Sequence, residues 1–371
     1  MQSPMIWGEP EAFYIRRFLD GVDKVVTDEM QKGRSILEEN LTFVLARLLD
    51  GESTFQRILE YPLKKLNMDL DACGSGVQMS IEFETNEHKK SFESAVSHAD
   101  LGIVIRRESS IFGPSYTKAI IVQSKKLYPL KDRYSLRSSY EAFDPDQFQN
   151  LKNVASKYSR DGVCYFLYNP RIDAFSEEEA KILRALESRM FCGSGWSGFP
   201  FPMWHPEFEY FIRKFWHRYP IWRCYPIGFS ASGQVLPTPD QLREERNKQL
   251  SSRPGLRVLG ITSIGSIVES NKTVRKTFKL EECYRYALSS DWFGSSGAVP
   301  FLPLSSFIVD LVLGCSRGSS NENIIRIAEG KEPVPPSKNE EEEEETLGLA
   351  VRHTLKITVR STLPQMNMHF Y

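Results

Sequence analysis

The sequence predicts an α/β (α+β) fold, with a mixed central sheet in an αβββαβ core and a C-terminal α+β region whose fold the pattern leaves open. Three observations carry this. Residues 35–51, SILEENLTFVLARLLDG, set Leu37, Leu41, Val44, Leu45 and Leu48 at helical spacing. Residues 100–106 and 117–125 are two largely apolar extended runs joined by a polar turn, the pattern of strands covered on both faces. Residues 144–159 are amphipathic through Phe148, Leu151 and Ala155, and residues 162–170 form a β-rich run ended by Asn-Pro.

Residues 1–34 are mixed in composition and indicate no element, so they read as an N-terminal extension. The helix at 35–51 can start on Ser35 as cap and is followed by Gly51. A second helical run covers 54–66, residues 71–76 punctuate, and 77–85 are extended. A connection leads to the two strands. The second of these directs Ala119, Ile121, Gln123 and Lys125 to one face and Ile120, Val122 and Ser124 to the other, because side chains alternate along a strand. Two polar side chains on one face of a buried strand need a reason. A carboxylate, Asp100, stands at the start of the neighbouring strand.

An Asp on one strand with Gln-x-Lys on the next, inside helix–strand–strand–strand–helix–strand order, resembles the PD-(D/E)XK nuclease superfamily. The branch it is most similar to is the Mrr-like restriction endonucleases, which carry glutamine for the usual glutamate. The resemblance covers residues 35–170, and ENLT at 39–42 is similar to the first helix of bacterial nucleases of this type. It implies a Mg²⁺-dependent (or Mn²⁺-dependent) endonuclease acting on DNA, with RNA as a further substrate class, in prokaryotic restriction or anti-phage defence. Phosphodiester hydrolysis needs a divalent cation to neutralise phosphate charge and activate water, and Mg²⁺ prefers oxygen ligands. By resemblance Asp100 is the principal metal ligand and Gln123 supplies a neutral carbonyl oxygen. Lys125 orients the attacking water and stabilises the transition state. A glutamate of the first helix completes the site. The helical wheel favours Glu38 and the resemblance Glu39; with Ile36 and Phe43 on its side, Glu39 is the expected ligand. Glu82 and Glu84 rank below. Glutamine at 123 lowers the negative charge of the site, which also suits a catalytically silent module that binds nucleic acid or scaffolds a defence complex.

Composition limits the alternatives. The 371 residues carry a formal net charge of -1, so nucleic acid would have to meet a local basic patch. Lys126, Lys131, Arg133 and Arg137 among Tyr128, Tyr134 and Tyr140 form one such loop; it reads equally as a phosphate-and-base surface and as an ordinary solvated loop. Six cysteines without a CxxC indicate neither zinc nor a disulfide framework. No phosphate loop is present. Residues 1–13 lack the features of a signal peptide, and the apolar run 299–315 is too short for a membrane span and contains Asp310 and two prolines. A cytoplasmic protein without membrane contact is expected, acting as a homodimer or with a partner protein.

The pattern divides the chain into 1–34, a nuclease-like domain at 35–191 and an aromatic-rich domain at 192–371. Residues 176–191 read as a helix with an acidic first turn. Residues 199–229 place aromatic side chains among Arg213, Lys214, Arg218 and Arg223, expected as core on a helix from near Pro206, with His205 at its start and His217 packing or at the surface. Residues 235–256 read as a linker with a polar helix, 256–270 as strand, 329–345 as a disordered acidic loop, and 349–360 as the final strand.

Overall fold

Ile15, Phe18, Leu19, Val22, Val26 and Met30 recur every three or four residues, and all six are buried on one side of a 23-residue helix, α1 (Glu9–Gln31). The chain thus builds a core helix where composition alone indicated none. Asp20 and Asp23 interrupt the apolar pattern, and Asp23 is buried because it accepts from the Leu256 N–H and the Thr27 hydroxyl. The computed structural model describes residues 9–32, 36–73, 78–88, 99–109, 115–141, 143–192, 255–270, 273–289, 299, 301–314, 317–334 and 351–362. The expected cap Ser35, the aromatic stretch 199–229 with His205 and His217, and the linker up to residue 254 lie outside the described residues.

Helix α2 (Glu38–Leu49) starts from Leu37 without a side-chain cap and buries Leu41, Thr42, Leu45, Ala46, Leu48 and Leu49. The helical run expected at 54–66 is divided: a 3-10 turn, Thr54–Ile58, precedes α3 (Leu63–Ala72). Pro62 makes the division, because proline is tolerated at a helix start and not in its interior. Strands β1 (Gln78–Glu87), β2 (Ala99–Ser109) and β3 (Tyr116–Tyr128) follow, then the short β4 (Ser139–Tyr140). Helix α4 (Pro145–Lys157) is capped by the Asp144 side chain, which accepts from the Asp146 N–H. It leads to the wholly buried β5 (Val163–Tyr168) and then α5 (Glu177–Cys192).

The stretch expected as strand at 256–270 is only in part a strand. β6 (Arg257–Gly260) gives way at once to α6 (Ile261–Val268), because Ile261, Ile264, Ile267 and Val268 have helical spacing and bury together. Two-residue strands β7 (Glu269–Ser270) and β8 (Thr273–Val274) pair with each other, and β9 (Phe278–Lys279) pairs with β4. After α7 (Leu280–Leu288) come β10 (Leu302–Pro303) and α8 (Leu304–Ser306), which continues as a π-helix, Phe307–Leu313. The core role expected of 299–315 holds for Val299, Phe301, Leu302, Leu304, Phe307, Ile308, Val309, Val312 and Leu313. Helix α9 (Glu322–Ala328) and strand β11 (Val351–Thr362) complete the described chain. Of the acidic stretch, residues 329–334 are described, with Glu329 bonded to Arg106 at 2.9 Å; the rest lies outside. Among the described residues no helix is long and apolar enough to cross a membrane.

The fold is mixed α/β, of α+β character, with parallel and antiparallel strands in one sheet. Its order is β1–β11–β2–β3–β5–β6–β10. β2 and β3 are antiparallel, and β3 and β5 are parallel across α4. β11 lies between β1 and β2, antiparallel to the first and parallel to the second. Residues from both sides of position 191 therefore build one sheet. One side of β11 buries Val351, His353, Leu355, Ile357 and Val359, while Arg360 on the other side pairs with Glu82 and Glu108. Over β2, the C-terminal end of α9 comes so near that a Cβ on Gly102 would lie 2.1 Å from the Ala328 carbonyl oxygen.

Candidate functional site

Four consecutive polar side chains, Gln123, Ser124, Lys125 and Lys126, are buried in the C-terminal half of β3. Gln123 is 2% and Lys125 3% exposed. Polar groups withdrawn from water cost several kcal/mol if left without partners, on the order of 2–7 for an uncharged one. The neighbouring elements supply those partners, and the strand pleat sends alternate residues to opposite faces.

Asp100 receives Gln123. In the β2–β3 register Leu101 faces Val122, so Asp100 stands one pair further, across from Gln123. Gln123 Nε2 donates to Asp100 Oδ2 at 2.7 Å, and the Ser124 backbone N–H donates to the same oxygen at 2.7 Å. Burial pushes the Asp100 carboxyl up to about 7; the Ser124 N–H opposes the rise and the neighbouring Glu38 charge adds to it. Lys125 meets α2, where its ammonium donates to Glu38 Oε1 at 3.2 Å. Burial raises the Glu38 carboxyl above its ordinary range, opposed by the Lys125 charge and the Lys126 backbone N–H.

One helical turn after Glu38, Thr42 occupies the same stripe of α2. Its hydroxyl lies 3.0 Å from both Ser124 Oγ and the Tyr168 hydroxyl, which ties α2, β3 and β5 together. Lys126 donates to the Ile36 carbonyl at 2.7 Å. Sequence reasoning did not single out Thr42 or Tyr168. The available signal was a hydroxyl inside the apolar stripe of Leu41, Leu45 and Leu48.

Of the residues expected at the site, Asp100, Gln123 and Lys125 come together. The helix glutamate that joins them is Glu38. Glu39, which the resemblance favours, is half-exposed and ion-paired with Arg352 of β11. The side of α2 bearing Glu39 is only partly covered: Phe43 packs on His353 with ring centroids 6.2 Å apart. The cover is β11, and it brings a cation for Glu39. Glu82 and Glu84 are drawn away too, Glu82 to Arg360 and Glu84 to the register position opposite Lys356.

The donor chemistry at this point suits a hard cation. Asp100 and Glu38 offer carboxylates, and Gln123 Oε1 is buried and accepts from no donor among the described residues. Among the described residues no three His, Cys, Asp or Glu side chains gather closely enough to hold a metal by themselves. Two carboxylates and the amide oxygen form the donor set that remains. In the adjoining loop, Lys131, Arg133 and Arg137 are exposed, whereas Tyr140 is fully buried and stacks on Phe278 at 4.7 Å, and Tyr134 packs near Phe175. Two of the three tyrosines are thus engaged in packing. Cys73, Cys164 and Cys283 are buried free thiols.

No protein-family model, no curated protein and no solved structure matches this chain.

Proposed function

We propose that the protein is a divalent-cation-dependent nuclease of the PD-(D/E)XK type that hydrolyses phosphodiester bonds of DNA, with Asp100, Gln123, Lys125 and Glu38 as its working groups. The observation that carries this reading is the convergence, at one end of an otherwise apolar β2–β3 pair, of an Asp, an amide with a free buried oxygen, and a Lys held by a Glu. An apolar sheet has no structural need for these groups there. Asp100, Gln123 Oε1 and Glu38 are the residues that would hold Mg²⁺ or Mn²⁺; the bound cation would neutralise phosphate charge and acidify a water. Glu38 pairs with Lys125 and orients its ammonium. The Lys125 ammonium is the group suited to fix an attacking water and to offset negative charge on the phosphoryl oxygens. The Gln123 amide and the Ser124 N–H hold the Asp100 carboxylate in one orientation. Cutting both strands of a duplex calls for two sites, so a homodimer or a partner protein belongs to this reading. A cytoplasmic role in restriction or anti-phage defence belongs to it as well.

One observation favours a second reading. Lys125 is almost fully buried and already paired, as a structural lysine would be in a catalytically silent module that binds nucleic acid or scaffolds a complex. Cleavage of plasmid, single-stranded DNA and RNA, with Mg²⁺ or Mn²⁺, separates the two. The expected result is metal-dependent cutting by the wild type, abolished in Lys125→Ala and in the volume-preserving Lys125→Met while both stay folded. No cutting of any polymer, together with no cation-dependent shift in thermal unfolding, would favour the silent module.

A further inference from the structure

Tyr165 stands beside Gln123. β3 and β5 are parallel with Gln123 opposite Tyr165, so the pleat sends both side chains to the same face. Tyr165 is 0% exposed, and among the described residues its hydroxyl has no hydrogen-bond partner, which is also true of Gln123 Oε1. These two orphans are complementary, one an O–H donor and the other a carbonyl acceptor. Burial holds the Tyr165 phenol well above its ordinary range, with the Asp100 and Asp144 charges adding to the rise, so it is a neutral donor. An unsatisfied buried polar group costs about 1–3 kcal/mol, and a buried water characteristically serves two to four such groups.

We propose that Tyr165 is a positioning residue for the Asp100–Gln123 pair: its hydroxyl and the Gln123 amide oxygen hold one buried water between them, which keeps the amide turned with its NH₂ on Asp100. The water accepts from the Tyr165 hydroxyl and donates to Gln123 Oε1. An amide can sit in two orientations related by a half-turn, and only one of them gives Asp100 a donor. Because the proposal takes Asp100 and Gln123 as the working site, it rests on the nuclease reading for its consequence; the water and the amide orientation do not depend on it.

A crystal structure of the cation-free wild type at high resolution tests the water directly. It is expected within hydrogen-bond distance of both the Tyr165 hydroxyl and Gln123 Oε1. A Tyr165 hydroxyl bonded straight to a protein group, or a dry gap between the two atoms, overturns the proposal. Tyr165→Phe removes the oxygen alone. In NMR spectra of the folded variant, the Gln123 side-chain NH₂ signals are expected to move and to lose protection from exchange, a local response that general loosening would not single out. Mn²⁺ affinity should fall about tenfold, as when a partner of a metal ligand is removed. Unchanged Gln123 signals and unchanged affinity refute the positioning role. Cleavage lost in Lys125→Met, with Tyr165→Phe unchanged in every readout, would leave the nuclease standing and remove only this proposal.

Discussion

Arg257 on β6 and Glu187 on α5 form an ion pair almost wholly removed from water, and the Tyr284 hydroxyl donates to the same carboxylate at 2.9 Å. Glu187→Ala would leave the guanidinium buried without its counter-charge, and urea unfolding should show a loss of about 3–5 kcal/mol. Replacing both partners by apolar residues of similar volume should cost far less, because no charge then remains to be solvated. Asp23 gives a pH prediction. Burial pushes its carboxyl from 3.8 to about 7, opposed by the Leu256 N–H and the Arg257 charge. The folded protein therefore holds this proton more tightly than the unfolded chain does. Its contribution favours folding at the acid end and is lost as pH rises towards about 7. His353, held down to about 4 chiefly by burial, acts in the opposite sense, its contribution being lost as pH falls from 6.5 through about 4. Asp23→Asn keeps an oxygen for Leu256 and Thr27 while removing the titration. The difference in unfolding free energy between pH 5 and pH 8 should change by about 2 kcal/mol relative to the wild type. An unchanged difference would show that Asp23 is not the titrating group.

At the scale of elements, two close contacts set how helices sit on the sheet. Gly102 lets the end of α9 touch β2, and Gly102→Ala would drive a methyl into the Ala328 carbonyl. Relief requires moving backbone, so a loss of about 3 kcal/mol in chemical denaturation is expected. The Thr42 hydroxyl joins α2 to β3 and β5. Thr42→Val keeps the volume but leaves Ser124 and Tyr168 short of a partner, for about 1–3 kcal/mol. Should the variant match the wild type, the hydroxyl is not a tie. Most elements were legible from period and cap. α2, β2, β3, α4 and β5 lie close to where apolar spacing placed them. α6 was read as strand because its eight residues are too apolar and too short for period alone to separate helix from strand. Between Glu38 and Glu39 the helical wheel favoured Glu38, the residue that meets Lys125, and the resemblance favoured Glu39; a wheel shows directions around one helix but not what stands in each direction.

For the whole molecule, the deciding feature is that the last strand lies inside the sheet. β11 pairs with β1 and β2 together, joining residues 78–87 and 99–109 to residues 351–362. A chain ending at residue 350 would expose the edges of both strands and the apolar side chains that β11 covers. It is expected to lose cooperative thermal unfolding altogether, whereas an independent C-terminal unit would leave the transition of the remainder intact. Calorimetry of the truncated protein distinguishes the two.

By itself the sequence determined the class of the fold, the main elements of residues 35–192, and the three residues Asp100, Gln123 and Lys125 on adjacent strands. These follow from local periodicity, because which face a side chain takes on a strand or helix depends only on its near neighbours. Only the tertiary structure decided that Glu38 and not Glu39 meets Lys125, that Arg352 and Arg360 take up Glu39 and Glu82, and that Tyr165 lies beside Gln123. Each depends on which distant segment becomes a neighbour. That is settled by burying the apolar surface of the whole sheet at once, and no window of the sequence contains it.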